Sequence, residues 1–221
     1  MLTDELVQQI FEGRKGSLSA LFREWVESSR RFRTFGEEHA SKIRKKVRVA
    51  ADSDQLLDLR CELETAYLLL QNRQFDVAYE KLATSGGRGP DFSVLFRTHT
   101  PFHVEVTRPR LDEQVIPKLM ESICNKVGQM PAGAVNVLVI YAPGADSSHL
   151  VDAAASLRAL AERKVEDYFT RRGFRDARAF VRQFQNLSAI ILKSTAAFIW
   201  TNSLAKKPVP DDLMKALRRT F

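Results

Sequence analysis

The stretch that decides the fold is residues 89–107, which read GPDFSVLFRTHTPFHVEVT. Apolar and polar residues alternate over 91–97 and again over 102–107, with a THTP turn between the two runs, and this alternation predicts two β-strands. If the strands pair as a hairpin, Asp91 and Glu105 approach each other on one side of the sheet. The residues predicted to point into the core from the opposite side are Phe92, Val94, Phe96, Phe102, Val104 and Val106.

The paired carboxylates of this hairpin carry a chemical prediction. Asp91 follows the turn residues Gly89 and Pro90, which place it at the mouth of its strand. Two carboxylates held this close repel each other unless a cation lies between them. Hard oxygen ligands that are open to solvent suit Mg²⁺, which keeps several of its waters and also takes phosphate oxygens. The sequence therefore predicts a Mg²⁺ site at Asp91 and Glu105, with Mn²⁺ as a substitute.

The helix predicted after the hairpin, over 111–130, contains a lysine in an unusual position. Lys126 projects within the apolar stripe of this helix, with Gln129 one turn along and beside it. A lysine among core-facing residues either meets a carboxylate or extends its ammonium into solvent at the helix end. The first alternative brings Lys126 to the acidic site. The stripe consists of Val115, Leu119, Ile123, Val127 and Met130.

The helix predicted before the hairpin supplies a third carboxylate. A cap at Asp52–Asp54 predicts a helix that runs to about Asn72, with an apolar stripe along one side. Glu62 lies just outside that stripe, so it either joins the acidic site or is an ordinary solvated glutamate. A strand over 75–83 and a glycine-rich turn over 85–90 then lead into the hairpin.

The remaining segments complete an α/β pattern. The apolar run at 134–142 is typical of a strand that is buried on both faces. Helices are predicted over 149–170, 175–184 and 211–219, and strands over 187–193 and 197–202. Residues 1–50 are predicted to form a helical extension and 51–221 a single domain. The basic run at 28–48 is either an arm that contacts phosphates or a solvated helical face.

Composition limits the class of protein and of partner. The chain has 221 residues, 44% of them apolar, which is ordinary for a globular protein. The net charge of +7 favours nucleic acid or another polyanion as partner, although a generally basic surface without a specific partner has the same charge. Two cysteines suit a reducing compartment. Without a signal-like start or a long apolar run, the sequence predicts a cytoplasmic protein with no membrane partner.

Taken in order, the motifs resemble those of the PD-(D/E)xK, or restriction-endonuclease-like, superfamily, over about residues 55–142. Members share an α-β-β-β-α-β core with a mixed central sheet flanked by helices, and many are Mg²⁺-dependent nucleases that act on DNA. The resemblance therefore implies this fold, a Mg²⁺ cofactor and hydrolysis of phosphodiester bonds in DNA. The matching residues are Glu62, Gly89–Pro90–Asp91–Phe92, Val104–Glu105–Val106–Thr107 and Ile123-x-x-Lys126-x-x-Gln129.

The resemblance also implies roles for single residues. Asp91 and Glu105 match the metal ligands of the family, and Glu62 matches the helical acid of many members. Thr107 stands where the family has its catalytic lysine, and threonine carries no charge that could offset a developing anion. Some members place that lysine on the following helix, which makes Lys126 the predicted replacement.

The groups around this centre are predicted to bind the substrate. Gln129 would hold a water or a phosphate oxygen. Arg108 is the second candidate for the role of the missing lysine, but it points to the opposite face of its strand. Arginines near the cleft that are predicted to bind backbone phosphates are Arg88, Arg108 and Arg110.

Three hypotheses follow for the function. The first is a Mg²⁺-dependent nuclease, for which cleavage of both DNA strands by a single-site enzyme would favour a homodimer. The second is an inactive nucleic-acid-binding or scaffolding module on a nuclease fold that lost its lysine. The third is a basic α/β protein in which Asp91 and Glu105 are structural and the partner is another protein.

Overall fold

The chain divides into two units, Met1–Phe75 and Asp76–Phe221. The domain boundary predicted after residue 50 lies inside the first unit. The computed structural model of the protein describes residues 1–13, 16–50, 52–80, 89–111 and 113–221.

The first unit is helical, as the sequence predicts for its first 50 residues. Its helices pack around an aromatic cluster in which the rings of Phe22 and Phe32 lie 5.4 Å apart, edge to face. Gly36 allows a close approach at this cluster, because a Cβ there would lie only 3.0 Å from the Phe22 ring. The helices are α1 (Thr3–Phe11), α2 (Ser17–Ser28), α3 (Arg30–Val49) and α4 (Ser53–Gln71). Since α4 packs on α2 and α3, the unit extends past residue 50.

Several basic residues of α3 are engaged within the first unit. Arg44 and Arg48 both pair with Glu12, and hydrogen bonds from Arg48 and then Arg44 lower the pKa of that carboxyl. Lys46 Nζ lies 2.5 Å from Glu62 Oε2. These contacts favour a structural role for this part of the basic run over that of an arm that contacts phosphates.

Arg31 ties α3 to the end of α4. Its Nη1 donates to the carbonyl oxygens of Leu70, at 2.7 Å, and Asn72, at 2.8 Å. Its Nη2 donates to the carbonyl of Phe75. The last carbonyls of a helix have no partner within the helix, so one guanidinium here satisfies several acceptors and places its charge at the negative helix end.

Replacing Arg31 with alanine is expected to lower the free energy of unfolding of the first unit by about 2 kcal/mol, because charge-assisted hydrogen bonds to partly buried carbonyls are lost. The measurement is urea unfolding in a Trp200→Phe background, in which Trp25 is the remaining tryptophan. Arg30→Ala is the matched control, because Arg30 is exposed. Equal midpoints for the two variants would contradict this role of Arg31.

The second unit is built on a mixed sheet of six strands in the order β1-β2-β3-β4-β5-β6. The pair β2–β3 is antiparallel, β3–β4 and β4–β5 are parallel, and β5–β6 is antiparallel. The predicted α/β class is therefore confirmed. The strands are β1 (Phe75–Tyr79), β2 (Phe92–Phe96), β3 (Thr100–Thr107), β4 (Val135–Tyr141), β5 (Ala189–Lys193) and β6 (Ala197–Thr201).

Helices cover one face of this sheet and form its core with it. Leu138 and Ile140 of β4 and Ile190 of β5 pack against apolar residues of α5, α6 and α8, including Ile123 and Phe180. The helices of the unit are α5 (Val115–Val127), α6 (Ser147–Glu162), α7 (Glu166–Thr170), α8 (Ala177–Phe184) and α9 (Asp211–Thr220). No helix of the described residues has the length and apolarity needed to cross a membrane.

The helix predicted over 111–130 is shorter than expected, and Pro117 explains its start. In a helix that began at Leu111, the proline ring would clash with a carbonyl four residues earlier. In the observed helix, Val115–Val127, the proline lies in the first turn, where its missing N–H costs nothing. Asp112 lies outside the described residues.

The prediction of a single helix over 149–170 is also wrong, because this stretch contains two helices, α6 and α7. Lys164 adopts a left-handed conformation with φ 53°. The amide of Val165 donates to the carbonyl of Leu160 at 3.0 Å, which is the hydrogen bond that closes a Schellman C-cap. Lys164 therefore occupies a position that usually holds glycine, and the absence of glycine hid the break.

Candidate functional site

The β2–β3 pairing holds the predicted acidic residues together. Ser93 pairs with His103 and Phe92 with Val104, so Asp91, directly before β2, comes beside Glu105. The Asp91 amide donates to Glu105 Oε2 at 3.2 Å, and Asp91 Oδ2 accepts from the amide of Val106 at 2.7 Å. Each carboxylate is thus anchored to the backbone of the other's strand.

Lys126 reaches this pair from α5. Its Nζ lies 2.6 Å from Glu105 Oε1, within the range of a charge-assisted hydrogen bond. The Glu105 side chain is 5% exposed and that of Lys126 is 21% exposed. Of the two alternatives that the helical pattern left open, the contact with a carboxylate is therefore the one present, while the chemical role of Lys126 stays a prediction.

Glu80 adds a carboxylate that sequence analysis missed. Its amide donates to the carbonyl of Asp91 at 2.8 Å, and a carboxylate oxygen of each residue lies within 4.8 Å of the other. Glu80 has φ 45°, in the left-handed region, and ends β1 one residue past Tyr79. The strand predicted over 75–83 stops there, and 81–83 lie outside the described residues. A prediction that ended the first strand at Tyr79 and paired it with β2 would have placed Glu80 opposite Asp91.

A narrow crevice beside Glu105 collects the polar residues of the same sheet face. It is lined by His103 and Asn136 of neighbouring strands and by Gln129 just past α5. The His103 Nδ1 lies 3.2 Å from Ser93 Oγ, and burial lowers the pKa of the imidazole. Gln129 Nε2 donates to the carbonyl of Asn125 at 3.2 Å. The structure therefore brings the predicted Gln129 to the same crevice as Glu105, together with His103.

The remaining predicted site residues that the structure describes lie at the end of β3, just after it, or in the first unit. Thr107 is half-buried at the end of β3, where it pairs with Ile140. Arg108 is half-buried and Arg110 exposed, both just after that strand. Glu62 belongs to the first unit, where it binds Lys46. Arg88 lies outside the described residues.

The donor set of this site is suited to a hard divalent cation. Asp91 and Glu105 offer carboxylate oxygens, and Glu80 has a carboxylate oxygen within 4.8 Å of one of Asp91. A carboxylate has more acceptor positions than the single N–H bonds use. A lysine beside such a pair adds a fixed positive charge that can neutralise part of the acidic cluster. This combination of anionic oxygen ligands and one ammonium can bind a phosphate group through a metal and through Lys126 together.

Comparison of the chain with family models, with curated proteins and with solved structures finds no match in any of the three. The argument for a function therefore rests on the residues and contacts of this chain.

Proposed function

We propose that the protein is a Mg²⁺-dependent nuclease of the PD-(D/E)xK type that hydrolyses phosphodiester bonds in DNA. The observation that carries the proposal is the 2.6 Å contact between Lys126 Nζ and Glu105 Oε1. Through this contact an ammonium lies beside the carboxylates Asp91 and Glu105. The position at which the family has its catalytic lysine is occupied here by Thr107.

The topology of the second unit supports the restriction-endonuclease-like core. The antiparallel pair β2–β3 is followed by α5 and by β4, which is parallel to β3. This is the β-β-α-β part of the expected order, with β1 next to β2 at the edge of the sheet. The acidic residues lie on β3 and directly before β2, which is also where the family pattern puts them.

In the proposed reaction each residue has a defined task. Asp91 and Glu105 would hold Mg²⁺, and Glu80 would add a carboxylate oxygen within 4.8 Å of that of Asp91. The bound metal would polarise the scissile phosphate and lower the pKa of a water for in-line attack. Lys126, oriented by Glu105, would stabilise negative charge that develops on the phosphate oxygens. Gln129 would orient a water or a phosphate oxygen from the end of α5.

The proposal is tested by incubating plasmid DNA with the protein in Mg²⁺, in Mn²⁺ and in EDTA. The expected result is cleavage with either metal and none in EDTA, and loss of cleavage in Asp91→Asn, which keeps the size of the side chain but removes its charge. Cleavage that persists in Asp91→Asn would contradict the assigned site.

A second candidate function is a nucleic-acid-binding module without catalysis. The observation that favours it is Thr107, because the position that usually carries the catalytic charge is neutral. This candidate predicts DNA binding that is equal in EDTA and in Mg²⁺, with no cleavage product under any condition. The same plasmid assay, read together with a binding assay, separates the two candidates.

A further inference from the structure

The segment from Arg163 to Arg182 carries an excess of positive charge. It contains seven arginine or lysine residues and three acidic residues, which leaves a net charge of +4 of the chain's +7. Within it, Arg171, Arg175, Arg178 and Arg182 are all exposed. We call these four residues the α8 arginine surface.

The contacts of this surface leave most of its guanidinium groups open to solvent. Among the described residues, Arg171, Arg178 and Arg182 make no ion pair or side-chain hydrogen bond, whereas Arg175 Nε lies 3.0 Å from Asp176 Oδ2. Asp176 also caps α8, accepting from the amide of Ala179 at 2.6 Å. The helix itself, ARAFVRQF, contains no acidic residue.

Arg178 is unfavourable for the helix that carries it. Arg178 and Arg182 are like charges at i and i+4, a spacing that destabilises an isolated helix. Arg178 also lies in the first turn, where the positive end of the helix dipole disfavours a cation, whereas Arg182 lies in the last turn, where the dipole favours one. Helix stability therefore does not explain Arg178, and a partner that carries negative charge would explain it.

The surface begins close to the candidate site. Helix α8 packs on α5, and a Cβ on Gly128 would lie 3.2 Å from Gln183 Oε1. Gly128 directly precedes Gln129 and lies two residues after Lys126. Arg182 precedes Gln183 in α8, so the α8 arginine surface begins near the end of α5. That end of α5 carries Lys126, the proposed catalytic lysine.

We propose that the α8 arginine surface binds the phosphate backbone of duplex DNA and thereby holds the substrate beside Lys126. This inference rests on the proposed function for its substrate, but it concerns binding and not cleavage. Guanidinium groups fit phosphate oxygens in a bidentate way, and two that are four residues apart lie about 6 Å apart along a helix axis. Such contacts add affinity that does not depend on base sequence.

An anionic membrane is the less suitable partner. A helix that lies in a membrane interface exposes large apolar residues opposite its basic ones. The apolar residues of α8 are instead buried in the core, with Phe180 and Phe184 each 1% exposed. The helix thus offers charge without the apolar side chains that insertion into a lipid surface requires.

The test measures binding of a short fluorescein-labelled DNA duplex in EDTA, where cleavage does not interfere. Arg178→Gln/Arg182→Gln is expected to weaken binding about tenfold at low salt and to reduce the slope of log Kd against log salt by about 2, as for two lost phosphate contacts. The matched control is Lys215→Gln/Arg219→Gln, which removes the same charge at the same spacing from exposed positions of α9. It is expected to bind like the wild type.

Several outcomes would overturn the inference. They are wild-type affinity of the α8 variant, an equal loss in the α9 control, and absence of binding by the wild type. If the α8 variant lost binding to vesicles of phosphatidylserine and phosphatidylcholine while its DNA binding stayed intact, the surface would be assigned to membranes. If the α8 variant does not fold, Arg171→Gln/Arg175→Gln repeats the test from positions outside the helix. Because binding is measured without metal, failure of cleavage leaves this result readable.

Discussion

Replacing Lys126 with methionine is expected to slow Mg²⁺-dependent DNA cleavage by about 10²–10³-fold, the range seen when one preorganised group that stabilises transition-state charge is removed. Methionine keeps the length and apolar body of the side chain and removes its ammonium. The measurement is single-turnover cleavage of a labelled duplex at saturating protein, at a temperature where circular dichroism shows the variant folded. Under these conditions weaker binding does not lower the observed rate.

The control for this variant is Lys118→Met on the same helix, where the lysine makes a surface ion pair with Glu121 at 3.7 Å. It is expected to cleave like the wild type. A stronger test adds Thr107→Lys to Lys126→Met, which returns a lysine to the sheet face of Glu105. Partial recovery of the rate would support relocation of the catalytic charge, and an unimpaired rate in Lys126→Met alone would exclude it.

The second large effect is on stability, because Lys126 neutralises a buried carboxylate. In Lys126→Met the Glu105 side chain, 5% exposed, loses its cation. Removing one partner of a buried ion pair is costly, and we expect a loss of about 3 kcal/mol in the free energy of unfolding in EDTA. Urea unfolding of the second unit, followed by Trp200 in a Trp25→Phe background, measures it.

Two further measurements make this stability prediction specific. Glu105→Gln/Lys126→Met removes both charges and is expected to be more stable than Lys126→Met alone, since the buried anion is gone. Added Mg²⁺ is expected to raise the midpoint of Lys126→Met, because a ligand that binds the native state stabilises it. If Lys126→Met were as stable as Glu105→Gln/Lys126→Met, the buried charge of Glu105 would not need neutralisation by Lys126.

Much of the site was predictable because it rests on short-range periodicity. Alternation along β3 predicted that Val104 faces the core, and it is fully buried. The 3.6-residue period of α5 predicted an anomalous lysine, and the contact of Lys126 with Glu105 explains it. Both inferences need only the direction in which a side chain points. That direction stays correct even when the predicted ends of a strand or helix are wrong by a few residues.

What was missed depends on backbone conformation and on long-range packing. Glu80 itself adopts a left-handed conformation at the end of β1, and this conformation brings it to Asp91. Side-chain pattern does not encode such a backbone conformation. The break between α6 and α7 depends on Lys164 in the same conformation. Helix α4 belongs to the first unit because it packs on α2 and α3, and side-chain pattern does not encode that packing. The α8 arginine surface emerged once burial of Phe180 and Phe184 set the helix orientation.

The most direct test of a metal-dependent site is a titration of the protein with Mn²⁺, followed by electron paramagnetic resonance of the free ion. We expect that the wild type binds the metal and that Asp91→Asn/Glu105→Gln loses this binding, while Asp211→Asn/Asp212→Asn in the first turn of α9 retains it. Unchanged Mn²⁺ binding by Asp91→Asn/Glu105→Gln would contradict the assignment of Asp91 and Glu105 as the metal ligands.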